Sequence, residues 1–412
     1  MRIEFIAIGT ELLTTARLDT NSVWLAQRLA SLGLGFHRKT VVGDGREEMA
    51  AIFREALDRS DFIVCTGGLG PTFDDLTKEI WTEVLEDELV EDPSIRREIE
   101  GFYVDRKLPM PSTNLKQALV PAGGQALHNP MGTAPGILWE DPKGREGTRI
   151  VLLPGVPREM KHLWETAVEP RLRPLAGPTV HTLRMLVGSA GESTLDMRTT
   201  PLREKHGHLD WTILASLGAV ELVARSTNPA DLEAARKDFE QELGIDLACV
   251  GEASLEERVL ELLRGRGETL AVAESVTGGC IQARLTAIPG SSEAFLGGAV
   301  VYSAGAKARL TDVDPAMIRS HGTVSEPVTR ALAEGIARRL GATWGLATTG
   351  NAGPSEDKDG PAPVGTCFMA VAGPGGTSSQ ARSFPGNRGD LQARTATWAL
   401  DFLRRRIQAQ GN

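Results

Sequence analysis

Short apolar runs that stop at glycine, each followed by an amphipathic stretch, set the tightest limit on how this chain can fold. Residues 3–8, 36–42 and 62–66 read as strands, and 21–32 and 47–59 as helices. The last of these strands runs into T-G-G-L-G. A helix over 75–86, a strand over 150–153 and a helix over 157–167 continue the rhythm. Strands alternating with helices build a mainly parallel, doubly wound α/β sheet. Such sheets bind ligands where strands end and loops begin, and the glycine-rich stretches fall there.

From about residue 173 the pattern changes. Strands over 179–187 and 220–226 and a helix over 229–243 predict a small α+β module, with 244–254 as a boundary. The remainder opens with a helix over 255–264 and a strand over 269–273. A Thr-Gly-Gly turn and a helix to residue 287 follow, then strands over 299–302, 344–349 and 367–372. Helices over 327–340 and 391–408 complete a second α/β/α layer. The expected domains are 1–172, 173–252 and 253–412. Residues 353–363 (GPSEDKDGPAP) are the one low-complexity stretch and read as a mobile loop.

Composition narrows the function classes. A chain of 412 residues that is 41% hydrophobic and 24% charged buries cores throughout. A net charge of −9 disfavours nucleic acid as a partner, because phosphate backbones call for a basic surface. Cys65, Cys249, Cys280 and Cys367 are far apart and form no CxxC pair, as in a reducing compartment without structural zinc. No apolar run reaches the ~18 residues of a membrane span, and the N-terminus reads as a strand. A soluble cytoplasmic protein is expected.

Three elements carry a C-terminal constellation. A-E-S-V-T-G-G (273–279) follows a strand and opens a helix, so Ser275, Thr277, Gly278 and Gly279 can surround an anion at free N–H groups. A simple Ser/Thr cap with packing glycines fits it equally well. I-P-G-S-S-E-A-F-L-G-G-A-V-V-Y-S-A-G-A-K (288–307) places Ser292 in a turn, then a strand ending at Tyr302, then Lys307. A desolvated lysine can activate a serine, although most serines and lysines are solvated surface groups. T-T-G-N-A-G-P (348–354) and F-P-G-N-R-G-D (384–390) add Thr349 as a donor and Arg388 for phosphate or carboxylate.

These segments, with HGTVSE and PVGT, closely resemble the C-terminal domain of the CinA family over residues 255–410. The resemblance implies metal-free hydrolysis of nicotinamide mononucleotide to nicotinate mononucleotide and ammonia. Ser292 and Lys307 then stand as nucleophile and base with Tyr302 beside them. Ser275, Thr277, Gly278, Gly279, Thr349 and Arg388 are taken as substrate-binding, with the roles of Ser275 and Ser292 open to exchange. The family usually has isoleucine where this chain has Asn351.

The N-terminal constellation comprises Glu11, Asp19 and Asn21 around the first loop. T-G-G-L-G-P-T-F-D-D (66–75) follows with Gly67, Gly68, Gly70, Asp74 and Asp75. N-P-M-G-T (129–133) contributes Gly132 and Thr133, and L-P-G (153–155) contributes Gly155. Asp74 and Asp75 can hold a hard cation such as Mg2+, or simply cap the next helix. This half resembles the molybdopterin-binding domain found at the N-terminus of CinA proteins. The resemblance implies metal-dependent cleavage of ADP-ribose to AMP and ribose 5-phosphate, a KH-like middle module acting as connector, and a homodimer. Two rival readings stand beside this bifunctional one: a molybdopterin-related binding protein, and a competence or DNA-damage factor working through protein partners.

Overall fold

The computed structural model describes residues 1–15, 17–142, 146–354 and 362–410, so most of the 353–363 stretch lies outside the described residues. The chain forms two compact units, Met1–Val180 and His181–Asn412. Among the described residues no helix is long and apolar enough to cross a membrane.

In the first unit the strands are β1 (Ile3–Ile8), β2 (Phe36–Val42), β3 (Phe62–Thr66), β4 (Leu89–Glu91), β5 (Leu119–Pro121), β6 (Gln125–Leu127), β7 (Gly136–Glu140) and β8 (Arg149–Leu153). Six of them form one sheet in the order β2-β1-β3-β8-β7-β6. The four left-hand strands are parallel, while β7 and β6 add antiparallel. Every residue of β1 and β3 is buried, because helices cover both faces. Helix Arg46–Arg59 buries Met49, Phe53, Ala56 and Leu57, one apolar stripe, and Phe53 stacks on Trp81 with ring centroids 4.3 Å apart. On the other face Leu25 and Leu29 pack with Phe5, Val64, Leu153 and Trp164. The β4–β5 pair and helix Pro93–Asp105 were not legible in the sequence.

The second unit contains two sheets. The α+β module has β9 (His181–Gly188), β10 (Asp210–Ser216), β11 (Ala219–Ser226) and β12 (Leu247–Val250), antiparallel in the order β10-β11-β9-β12. The larger sheet has β13 (Leu270–Glu274), β14 (Phe295–Val300), β15 (Trp344–Gly350), β16 (Thr366–Gly373) and β17 (Gly376–Ser383), in the order β14-β13-β15-β16-β17. Here β13 is parallel to both neighbours, and β16 and β17 are antiparallel. Helices Leu255–Arg264, Cys280–Thr286 and Arg388–Ala409 share one core with the sheet. Helices Pro315–His321 and Glu326–Leu340 share the other. Helix Glu326–Leu340 sits so close that a Cβ on Gly345 would lie 1.9 Å from the Ala333 carbonyl oxygen.

The two sheets are joined by charge. Asp401 and Arg404 of the C-terminal helix are fully buried and bonded at 2.6 Å. Arg404 also donates to the Ile245 carbonyl at 2.6 Å, and Arg405 to Asp246 at 2.6 Å and to the Gly188 carbonyl at 3.1 Å. Asp401 lies so close to Gly188 that a Cβ there would meet its carboxyl carbon at 2.4 Å.

Lys78 is buried in the first unit, donating to the carbonyls of Leu119 at 2.9 Å and of Lys116. Burial pushes its ammonium down to about 8; Glu79 opposes this and Lys116 adds to it. The unfolded chain therefore holds this proton more tightly than the folded one, with an ordinary value of 10.5. The cost to folding is full below about pH 8 and disappears as pH rises toward 10.5. Urea midpoints of wild type and Lys78→Met should diverge accordingly, the wild type gaining relative to the variant between pH 7.5 and 10. A constant difference would contradict this account.

Candidate functional site

The C-terminal constellation gathers around the end of β13. Its last residue, Glu274, is fully buried. The chain then turns through Ser275–Gly279 before helix Cys280–Thr286, and Gly278 and Gly279 adopt positive φ of 63° and 102°. Glycine takes such angles without strain. The turn wraps around the Glu274 carboxylate, which accepts from the N–H groups of Gly279 at 2.9 Å, Ile281 at 3.1 Å and Gln282 at 2.9 Å. The helix start expected to hold a phosphate is thus filled by the protein's own anion. The Thr277 hydroxyl is likewise engaged, 2.8 Å from that of Thr348.

The structure corrects the expected pairing of Ser292 with Lys307. Ser292 sits exposed in the turn Ser291–Glu293 before β14, whereas Lys307 follows the opposite end of that strand. Six extended residues span ~20 Å, so the two cannot meet. Lys307 is 1% exposed, and its Nζ donates to Ser275 Oγ at 2.9 Å and to the Val301 carbonyl at 2.8 Å. Tyr302, next to Val301, is 65% exposed. Thr349 is buried with its hydroxyl 2.7 Å from that of Thr329, so its expected role as a ligand donor is replaced by a packing one.

Arg388 opens the C-terminal helix and donates to the Gly353 carbonyl. One turn on, Gln392 Nε2 lies 3.5 Å from the place a Cβ on Gly278 would occupy. Leu391 packs with Val276, the neighbour of Ser275. The helix start therefore adjoins the Ser275 turn. Burial pushes the Cys249 and Cys367 thiols up to about 11 and raises Cys65 and Cys280, which disfavours the thiolate at each. Glu274 was missed as a site residue, although a carboxylate between an apolar strand and a double glycine was its signal.

The N-terminal residues line one cleft of 470 Å³ at the C-terminal ends of β1, β3 and β8. Glu11, Asn21, Gly67, Gly68, Gly70, Asp74, Asp75, Thr133 and Gly155 all face it. Gly132 instead borders a neighbouring cleft and lies against Glu159, which lines the first. Gly67 has φ 102°, and a Cβ there would meet the Ile8 carbonyl oxygen at 2.2 Å. Asp44, Gln117 and Glu159 also line it and were missed. Gln117 arrives on a 3-10 segment, Ser112–Ala118, that has no periodic signal in the sequence.

Asp74 and Asp75 do not cap the next helix, whose start has no side-chain cap. Thr72 Oγ1 lies 2.5 Å from both Asp74 Oδ1 and Asp75 Oδ2, and this hydroxyl holds the Asp74 carboxyl below the usual carboxylate range. Lys116 fastens the same loop, donating to the carbonyls of Thr72 at 3.2 Å and of Asp75. Among the described residues no three His, Cys, Asp or Glu side chains form a ligand set. Two carboxylates fit the binding mode of Mg2+, which takes one or two from protein and the rest from water and substrate phosphate. Asn21 donates to the Gly155 carbonyl at 2.9 Å, but its buried Oδ1 has no partner among the described residues.

Comparison with known proteins bears on both sites. Residues 252–407 match the family described as CinA C-terminal domain, and residues 4–174 that described as probable molybdopterin binding domain. The CinA-like protein of Koribacter versatilis is 40% identical over 99% of this chain and 100% of its own length. That of Acidobacterium capsulatum is 41% identical over 99% and 100%. A crystal structure of CinA, described as of unknown function, from Thermoplasma acidophilum shows 33% identity over 42% of this chain and 97% of that one, with a TM-score of 0.38. With identity of this extent from end to end, the chain belongs to the CinA-like protein family.

Proposed function

We propose that the C-terminal site hydrolyses the carboxamide of nicotinamide mononucleotide, giving nicotinate mononucleotide and ammonia. The observation that carries this reading is the buried 2.9 Å contact between Lys307 Nζ and Ser275 Oγ. A serine attacks an amide only when a base takes its proton, and a lysine amine within hydrogen-bond reach of the hydroxyl is placed to serve as that base. Ser275 Oγ bonds to the carboxamide carbon as Lys307 accepts the hydroxyl proton. Lys307 then delivers that proton to the departing nitrogen, the C–N bond breaks and ammonia leaves. Water attacks the resulting ester, losing a proton to Lys307; the bond from carbon to Ser275 Oγ then breaks, and Lys307 returns that proton to Oγ, restoring both groups and releasing the acid. The Val301 carbonyl holds Nζ in line throughout. Arg388 supplies the charge for the substrate phosphate.

The N-terminal cleft is assigned cleavage of the diphosphate of ADP-ribose to AMP and ribose 5-phosphate. A divalent ion at Asp74 and Asp75 would neutralise diphosphate charge. Around it, the N–H groups of Gly68 and Gly70 can approach the phosphates without side chains in the way. The unpaired Asn21 Oδ1 is an acceptor suited to a ribose hydroxyl. The match to a molybdopterin-binding domain supports a second reading, in which this cleft holds a pterin phosphate without turning it over.

Lys307→Ala and Ser275→Ala should each lower kcat for ammonia release by about 10²- to 10⁴-fold, while Ser292→Ala stays near wild type. The reverse pattern would remove the assigned pair. A chelator should abolish ADP-ribose cleavage in a dialysed sample and leave ammonia release unchanged; loss of both would place a metal in the amide chemistry. Asp75→Ala should likewise abolish ADP-ribose cleavage and spare deamidation, as measured on one folded preparation. Binding of the diphosphate without hydrolysis in the wild type would favour the pterin reading.

A further inference from the structure

The Arg388 guanidinium is exposed on a loop-to-helix junction, yet its position is fixed by a contact to the Gly353 carbonyl. That carbonyl belongs to the segment leaving β15, which has no strand partner of its own. What holds it is Asn351. The side chain of Asn351 is buried; its Oδ1 accepts from the Gly353 N–H at 3.0 Å, and its Nδ2 donates to the Ala362 carbonyl at 3.0 Å. Its main chain is tied as well, with N–H donating to the Thr366 carbonyl at 2.9 Å and its carbonyl accepting from Gly365 at 2.8 Å. One residue thus pins both ends of the segment between β15 and β16. An aliphatic side chain of similar size can form neither side-chain bond.

We infer that Asn351 is a positioning residue for the nucleotide phosphate: through Gly353 it sets the direction of Arg388, and so the preference for a phosphorylated substrate over its nucleoside. The inference rests on the reading of Arg388 as the phosphate-binding group in amide hydrolysis. Arginine has five N–H donors in a fixed fork. Spending one on Gly353 turns the remainder toward a single side. Arg388 and Gln392 are one helical turn apart and share a face, and Gln392 lies against Gly278 in the turn that carries Ser275. Arg388 therefore stands on the helix face that borders the reacting serine, and the tether keeps it from swinging into solvent.

The test compares nicotinamide mononucleotide with nicotinamide riboside, which lacks the phosphate, in the full chain. Arg388→Ala should raise KM for the mononucleotide and cut the kcat/KM ratio between the two substrates, leaving the riboside unaffected. Asn351→Leu should shift the same ratio in the same direction by about tenfold, the size of one or two lost hydrogen bonds, with kcat changed less than threefold. Asn351→Ser, whose hydroxyl can still accept from the N–H two residues on, should recover most of the ratio. The double variant Asn351→Leu with Arg388→Ala should be no worse than Arg388→Ala alone, because both act on one contact. An unchanged ratio in Arg388→Ala would dismiss the phosphate role itself. A changed ratio there with none in Asn351→Leu, or full additivity in the double variant, would overturn the positioning role. Should Asn351→Leu not fold, Asn351→Ala, which also removes both side-chain bonds, and its double variant with Arg388→Ala decide by the same comparison.

Discussion

The C-terminal site is organised by one buried carboxylate. Glu274 ends β13 inside the protein and satisfies three N–H groups at the start of the next helix. Helix starts leave such donors unpaired and carry partial positive charge, so a buried start needs an anion. By supplying it from the preceding strand, the chain forces residues 275–279 to loop around Glu274 with two left-handed glycines. That loop leaves Ser275 pointing at Lys307, with Val276 packed among Cys367, Phe384 and Leu391. Strand end, turn, lysine and C-terminal helix are consequences of where one charge was buried.

The N-terminal cleft follows a different design. Positive φ at Gly67 and Gly68, with the Ile8 carbonyl close against Gly67 and the Thr77 side chain close against Gly68, opens a floor of main chain between parallel strand ends. The acidic groups stand on a loop that Thr72 braces internally and Lys116 braces from a separate segment. Where the C-terminal turn closes over an internal anion, this one leaves Asp74 exposed at the rim of the cleft.

Strands whose every residue is buried, such as β1 and β3, were legible because an unbroken apolar run bounded by turns has few other uses. The edge strands β10 and β17, with mixed polar residues and exposed faces, gave no such signal. The N-terminal glycine turns were brought together as their order implied, because parallel strands deliver their C-terminal ends to one side. Ser292 failed for a related reason. Spacing along the chain counts residues but not strand ends, and a serine before β14 and a lysine after it lie at opposite edges of the sheet. Ser275 is farther from Lys307 in sequence, yet it follows a strand parallel to β14 and so shares its end. The capping alternative for Asp74 and Asp75 stood beside the metal reading in the sequence, and the uncapped helix start sets it aside.

The buried Asp401–Arg404 pair changes what counts as a separable piece of this protein. A guanidinium with no exposure survives because each of its bonds is made, and one of them is to the carbonyl of Ile245 in the α+β module. A chain begun at residue 253 would keep the whole Ser275 turn but strip Arg404 and Arg405 of the Ile245, Asp246 and Gly188 oxygens. The charge would then be left half-satisfied at the foot of the helix whose other end carries Arg388. The small module therefore serves as a lid on an electrostatic socket, and the C-terminal half inherits its dependence on residues far outside its own sheet.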